Sequence, residues 1–145
     1  MNRSKVREET FKLLYSLQLM DDVDLEEQID LFISENEITD NDAVDYIKNV
    51  INGVKKNEDE IVKQIEENIK KDWTISRISK IDLALLKLGI FEILYSKIPY
   101  KVVVNEVVEL AKKYGDDSSK GFVNGVLASV IKKNGIATEA TSEEE

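Results

Sequence analysis

Between residues 80 and 95 the chain is apolar on nearly every side. Ile81, Leu83, Leu85, Leu86, Leu88, Ile90, Phe91, Ile93 and Leu94 leave no polar stripe at a helical period. A helix of that kind has no face to offer water and must sit among other helices. The stretch also carries Asp82, Lys87 and Glu92, and it is shorter than the roughly 20 apolar residues that span a bilayer. It is therefore expected as the hub of a soluble bundle. Ser79, with Asp82 three residues on, is a variant of the capping box and marks its start. Pro99 forces a break after it.

The remaining segments read as the shell around this hub, because apolar residues recur at a helical period almost throughout. Val6, Phe11, Leu14 and Leu17 are in phase over residues 4–20, and Asp21 and Asp22 end that run. Asp24 with Glu27 is a cap pair opening a second helix, whose stripe is Leu25, Ile29 and Phe32. A third opens at Asp40 with Val44, Ile47, Ile51 and Val54. Its phase continues to Ile61 and Ile65, so residues 40–70 form one long helix or two with Asn57 capping the second. Residues 73–78 connect to the hub. Val102, Val103 and Val104 alone suggest a strand, but NEVVELAKKYG behind them is helical in pattern. A helix is expected from about Val102, ending with Lys112 and Lys113 in its last turn and Gly115 past its end. The last helix starts near Ser118 or Ser119 and carries Phe122, Val123, Val126, Leu127, Val130 and Ile131, with Gly135 after it. The result is an all-α domain over residues 1–135. Residues 136–145 are an acidic tail expected to be disordered.

Composition narrows the chemistry. The 145 residues include no Cys and no His. A thiolate nucleophile, a disulfide, a Cys/His zinc site and a histidine general base are all excluded. The opening MNRSKVREET has no apolar core of a signal peptide. A soluble cytoplasmic protein is expected. Asp22, Asp24 and Glu26 alternate like a calcium loop, but Glu27 stands where that loop needs Gly. GDDSSKG has its Lys before the second Gly rather than after it, so it is not a phosphate-binding loop. Nothing else suggests a metal or cofactor, and the acids between Asp21 and Asp45 read as a solvated face rather than a catalytic pair.

Charge is distributed unevenly. The formal net charge is −9, yet residues 21–48 hold eleven acids and one Lys, and residues 139–145 hold four more acids, which leaves the remainder at +5. Basic groups gather at Arg3, Lys5, Arg7 and Lys12, and again at Lys112, Lys113, Lys120, Lys132 and Lys133. Such clusters are either ordinary helix surface or two patches that meet in space. Residues 118–122 bear on the second reading. Ser118, Ser119, Lys120 and Gly121 open a helix whose free N–H groups and dipole attract an anion, and Phe122 follows at once. Phosphate contact beside an aromatic ring suits single-stranded RNA, although a capping Ser and a core Phe explain the same residues.

The C-terminal half carries a resemblance. IPYKVVVNEVVELAKKYG followed by SSKGFVNGVL resembles the NusB family of bacterial transcription antitermination factors. LLKLGIFEILY looks like that family's central helix and REETFKLLYSLQL like its first, so the likeness spans about residues 3–134. It implies a compact bundle of about seven helices in two small helical subdomains, with no catalysis. It implies binding to the boxA element of nascent ribosomal RNA transcripts, jointly with NusE, a small-subunit ribosomal protein, within the RNA polymerase antitermination complex. By position, Arg3, Lys5 and Arg7 match the family's basic first helix. Tyr100, Lys101, Ser118, Lys120, Phe122 and Asn124 match its RNA-facing late segment, and Asp82 matches a position turned toward NusE.

Two other readings compete. The same module resembles the N-terminal part of certain rRNA cytosine methyltransferases, but those need a Gly-rich cofactor loop and a catalytic Cys, and this chain has no Cys. A purely protein-binding helical adaptor would make the basic residues incidental.

Overall fold

The structure is a computed structural model and describes residues 1–136 of the chain. Of the expected tail, residues 136–145, Ile136 is described and packs half-buried against the core, and the rest lies outside the described residues. Seven α-helices follow one another: α1 (Arg3–Gln18), α2 (Leu25–Glu35), α3 (Asn41–Lys56), α4 (Glu58–Glu67), α5 (Lys80–Tyr95), α6 (Tyr100–Tyr114) and α7 (Ser119–Lys133). One 3-10 turn, Ile75–Arg77, precedes α5, and there is no strand among the described residues.

Short polar side chains start α1, α2, α3 and α5 by accepting from N–H groups that have no partner within the helix. Asp24 accepts from the Glu27 N–H at 3.1 Å, and the Ser79 hydroxyl accepts from that of Asp82 at 3.1 Å. Residues 40–70 are two helices, and Asn57 both ends the first and opens the second, its carbonyl accepting from the Ile61 N–H at 2.9 Å. Its amide donates to the Gly53 carbonyl at 2.8 Å and gives α4 no side-chain cap. The α6 helix begins directly after Pro99, two residues before Val102. The valine run is helical because burial outweighs strand propensity: Val103 and Val107 are fully enclosed.

The α5 helix is the hub. Leu85, Leu86, Leu88 and Ile90 point to different sides of it and are all 0% exposed. It packs against α1, α3, α4, α6 and α7, while α1 pairs with α3 and α6 with α7. Burying each such side chain stabilises the fold by about 1.5–3 kcal/mol. Gly53 of α3 permits one of these approaches, since the Phe91 ring of α5 fills the space a Cβ would need. The two helical groups share one continuous core. No helix among the described residues is long and apolar enough to cross a membrane.

Candidate nucleic-acid interface

The helices α6 and α7 are joined by only four residues, so they run antiparallel and leave a cleft of about 350 Å³ between them. Tyr100, Lys101 and Asn105 line it from α6, and Asn124, Ala128 and Ile131 from α7. Lys101, Asn105 and Asn124 are exposed and Tyr100 is half-buried. Lys120 stands one turn before Asn124 on the same face of α7 and is exposed too. The fold thus brings Tyr100, Lys101, Lys120 and Asn124 to one surface. Asn105 was not anticipated, although it falls four residues after Lys101, the spacing that puts two side chains on one helical face. Two ammonium groups, two amides and one phenol supply charge for phosphates and donors and acceptors for base edges.

The N-terminus of α7 corrects one expectation. Ser118 does not cap the helix with its side chain. Asp116 occupies that place: its Oδ1 accepts from the Ser118 N–H at 2.9 Å, the Ser118 hydroxyl at 2.8 Å and the Ser119 hydroxyl at 3.3 Å. The Ser118 hydroxyl and then its N–H hold the Asp116 carboxyl below its ordinary range. The anion that this helix end attracts is therefore supplied by the chain itself. Ser119 is buried, while Ser118 and Lys120 stay exposed. Gly115 is extended, with φ −90° and ψ −171°, rather than left-handed. Glycine is needed there for space, because a Cβ would meet the Ser119 side chain and lie 2.8 Å from the Ala111 carbonyl oxygen.

The first helix presents two of its three expected cations. Arg3 is exposed, with its guanidinium 4.7 Å from the centre of the Tyr46 ring. Lys5 is exposed and paired with Glu9 at 3.1 Å. Arg7 is a correction: it is 1% exposed, bonded to Glu92 and Glu106, and faces the interior. The α1 and α6 patches do meet, but across an acid. Glu8 accepts from Lys113 at 2.5 Å and from the Tyr114 hydroxyl at 2.6 Å.

Asp82 also differs from its expected role. Asp82 is only 7% exposed, and its Oδ1 has no hydrogen-bond partner. Burial pushes its carboxyl up; the Ser119 hydroxyl opposes that and the Asp116 charge adds to it. It is a largely buried carboxylate, not a free surface contact. Phe122 is half-buried, with its ring stacked on that of Trp73 at a centroid distance of 5.8 Å and an angle of 30°. Trp73 carried no signal in the sequence beyond its place in a connecting segment.

Known proteins share this architecture. The family model described as NusB family matches residues 4–132. The transcription antitermination protein NusB of Clostridium novyi (strain NT) is 45% identical over 135 residues, covering 91% of this chain and 99% of its own. Among solved structures, T. maritima NusB is similar with a TM-score of 0.84 and 32% identity, covering 91% of this chain and 92% of that one. A chain in the crystal structure of antitermination factors NusB and NusE in complex with double-stranded RNA is similar with a TM-score of 0.80 and 30% identity, covering 90% and 96%.

Proposed function

The chain belongs to the NusB family, and from that premise we propose that it is a transcription antitermination factor that binds boxA RNA in nascent ribosomal RNA transcripts together with NusE and helps RNA polymerase resist termination. Residues 1–135 act as one RNA-binding domain, in the cytoplasm and without catalysis. The observation that carries this reading is the α6–α7 cleft, where Tyr100, Lys101 and Asn124 converge.

The chemistry follows from the groups present. Lys101 and Lys120 neutralise phosphates, and the amides of Asn105 and Asn124 meet base edges. Arg3, Lys5 and the Ser118 hydroxyl add contacts at the margins. Arg7 takes no part in contact. A chain at −9 repels RNA at long range, so a basic partner is needed to complete the phosphate contacts. NusE meets that need, steered by the acids of residues 21–45. It docks at the start of α5, beside the largely buried Asp82.

Salt dependence tests the RNA reading. With roughly four or five phosphates neutralised, the log–log slope of affinity against salt is expected near −3, at about −0.7 per phosphate. Lys120→Ala removes about one such increment. A slope near zero would instead favour an adaptor without RNA affinity of its own. A duplex competitor decides strandedness: boxA binding as a single strand survives excess duplex of the same sequence.

A further inference from the structure

We propose that Trp73 is a base-stacking residue, which with Phe122, Gly121, Gly125 and Lys70 forms a second subsite for one unpaired base of the same RNA. This inference rests on the RNA-binding reading above. Trp73 is 39% exposed, a large apolar area to leave open in a chain with a well-filled core. Phe122 packs beneath it and holds its ring plane, so Trp73, not Phe122, presents the open aromatic face. The two rings border a groove of about 260 Å³. Lys70 is exposed on its rim and no carboxylate lines it. A basic rim, an aromatic wall and the absence of acid fit a nucleotide rather than a basic protein segment.

The glycines connect this groove to the first cleft. Gly121 follows Lys120 and Gly125 follows Asn124, so both lie on the strip of α7 between the two grooves. A Cβ at either position would meet nothing within 4 Å. Packing therefore does not require glycine there, and glycine is a poorer helix former than Ala at an exposed position. What the pair provides is a bare helix surface, across which an RNA backbone passes from the Asn124 cleft to the Trp73 groove. Strands read by stacking bind in this way, with bases laid on successive platforms and phosphates tracked by cations.

The chain contains a single Trp, so its emission reports on this subsite alone. The full chain is titrated with an end-labelled single-stranded boxA oligonucleotide, following label anisotropy and tryptophan emission together. Emission is expected to fall in step with the rise in anisotropy. Trp73→Ala is expected to weaken binding about tenfold or more, and Trp73→Phe to restore most of it. Gly125→Leu separates contact from stability, because it favours the helix yet blocks the bare strip: RNA affinity falls while the thermal midpoint holds or rises. Binding seen by anisotropy with unmoved emission would overturn the Trp73 subsite and leave the family function standing. Absence of anisotropy change even with saturating NusE present would overturn both. Quenching by NusE but not by RNA would make the groove a protein contact and end the proposal.

Discussion

The guanidinium of Arg7 and the carboxylate of Glu92 form a two-point pair inside the protein. Arg7 Nε donates to Glu92 Oε1 at 2.7 Å and the nearby Nη2 donates to Oε2 at 3.3 Å, with both residues 1% exposed. Glu106 takes a further bond from Nη1 at 3.1 Å. One cation therefore ties α1 to both α5 and α6. Removing either member of a buried pair strands the other charge, so Arg7→Ala or Glu92→Ala is expected to cost about 3–5 kcal/mol in urea unfolding. The double replacement Arg7→Met with Glu92→Leu recovers most of that loss. In the refolded double variant the salt slope of RNA binding stays at its original value. A slope shallower by about 0.7 would return Arg7 to the RNA interface.

The Asp116 carboxylate sits at the start of α7, a helix end that favours anions. Asp116→Asn keeps the side-chain shape and removes the charge. It is expected to strengthen RNA binding and to steepen the salt slope by about one phosphate, near −0.7. Unchanged affinity and slope would show that RNA does not approach this helix end.

Two carboxyls respond to pH in opposite senses. The Lys113 ammonium and the Tyr114 hydroxyl lower Glu8 from its ordinary 4.5. Its contribution is complete above that ordinary value and is lost as pH falls through the lowered one. Burial, and then Glu8, push the Tyr114 hydroxyl up to about 12, so it remains a donor across neutral pH. Asp82 is raised from 3.8, so its penalty is present at neutral pH and is relieved as acid protonates it. Glu8→Gln should lower stability at pH 7 by about 1 kcal/mol and flatten the acid limb of a thermal-midpoint profile. Asp82→Asn should raise the midpoint at pH 7, with the gain vanishing near pH 3. A loss at pH 7 from Asp82→Asn would mean that its unbonded oxygen has a partner.

Leu86 tests the hub. It is 0% exposed, and Leu86→Ala should cost about 2–5 kcal/mol. A loss under about 0.5 kcal/mol would place the core elsewhere.

The helices were legible because the signals that specify them are local. The unbroken apolar run of α5, the caps at Asp24 and Ser79 and the stop at Pro99 each depend on a few neighbouring residues. What was not legible depends on distant partners. Glu92 in an apolar helix demands a cation, but nothing local says that Arg7, 85 residues earlier, supplies it. Asp116 as the occupant of the α7 terminus was hidden because Ser118 is an equally good cap by type. Lys101 and Asn124 could be brought together only by knowing that α6 and α7 are antiparallel. Trp73 lay in a segment with no periodicity, so its stack on Phe122 had no sequence counterpart.

On the proposed function, this chain and NusE load boxA RNA cooperatively, since two weak sites joined in one complex bind as one strong site. The direct measurement is a titration of labelled single-stranded boxA RNA with this chain alone and then with the chain plus excess NusE, with NusE alone as the control. A heterodimer forms and RNA binding tightens at least about tenfold, near 1.4 kcal/mol. Superimposable curves with and without NusE would contradict cooperative loading, even if the chain alone binds the RNA.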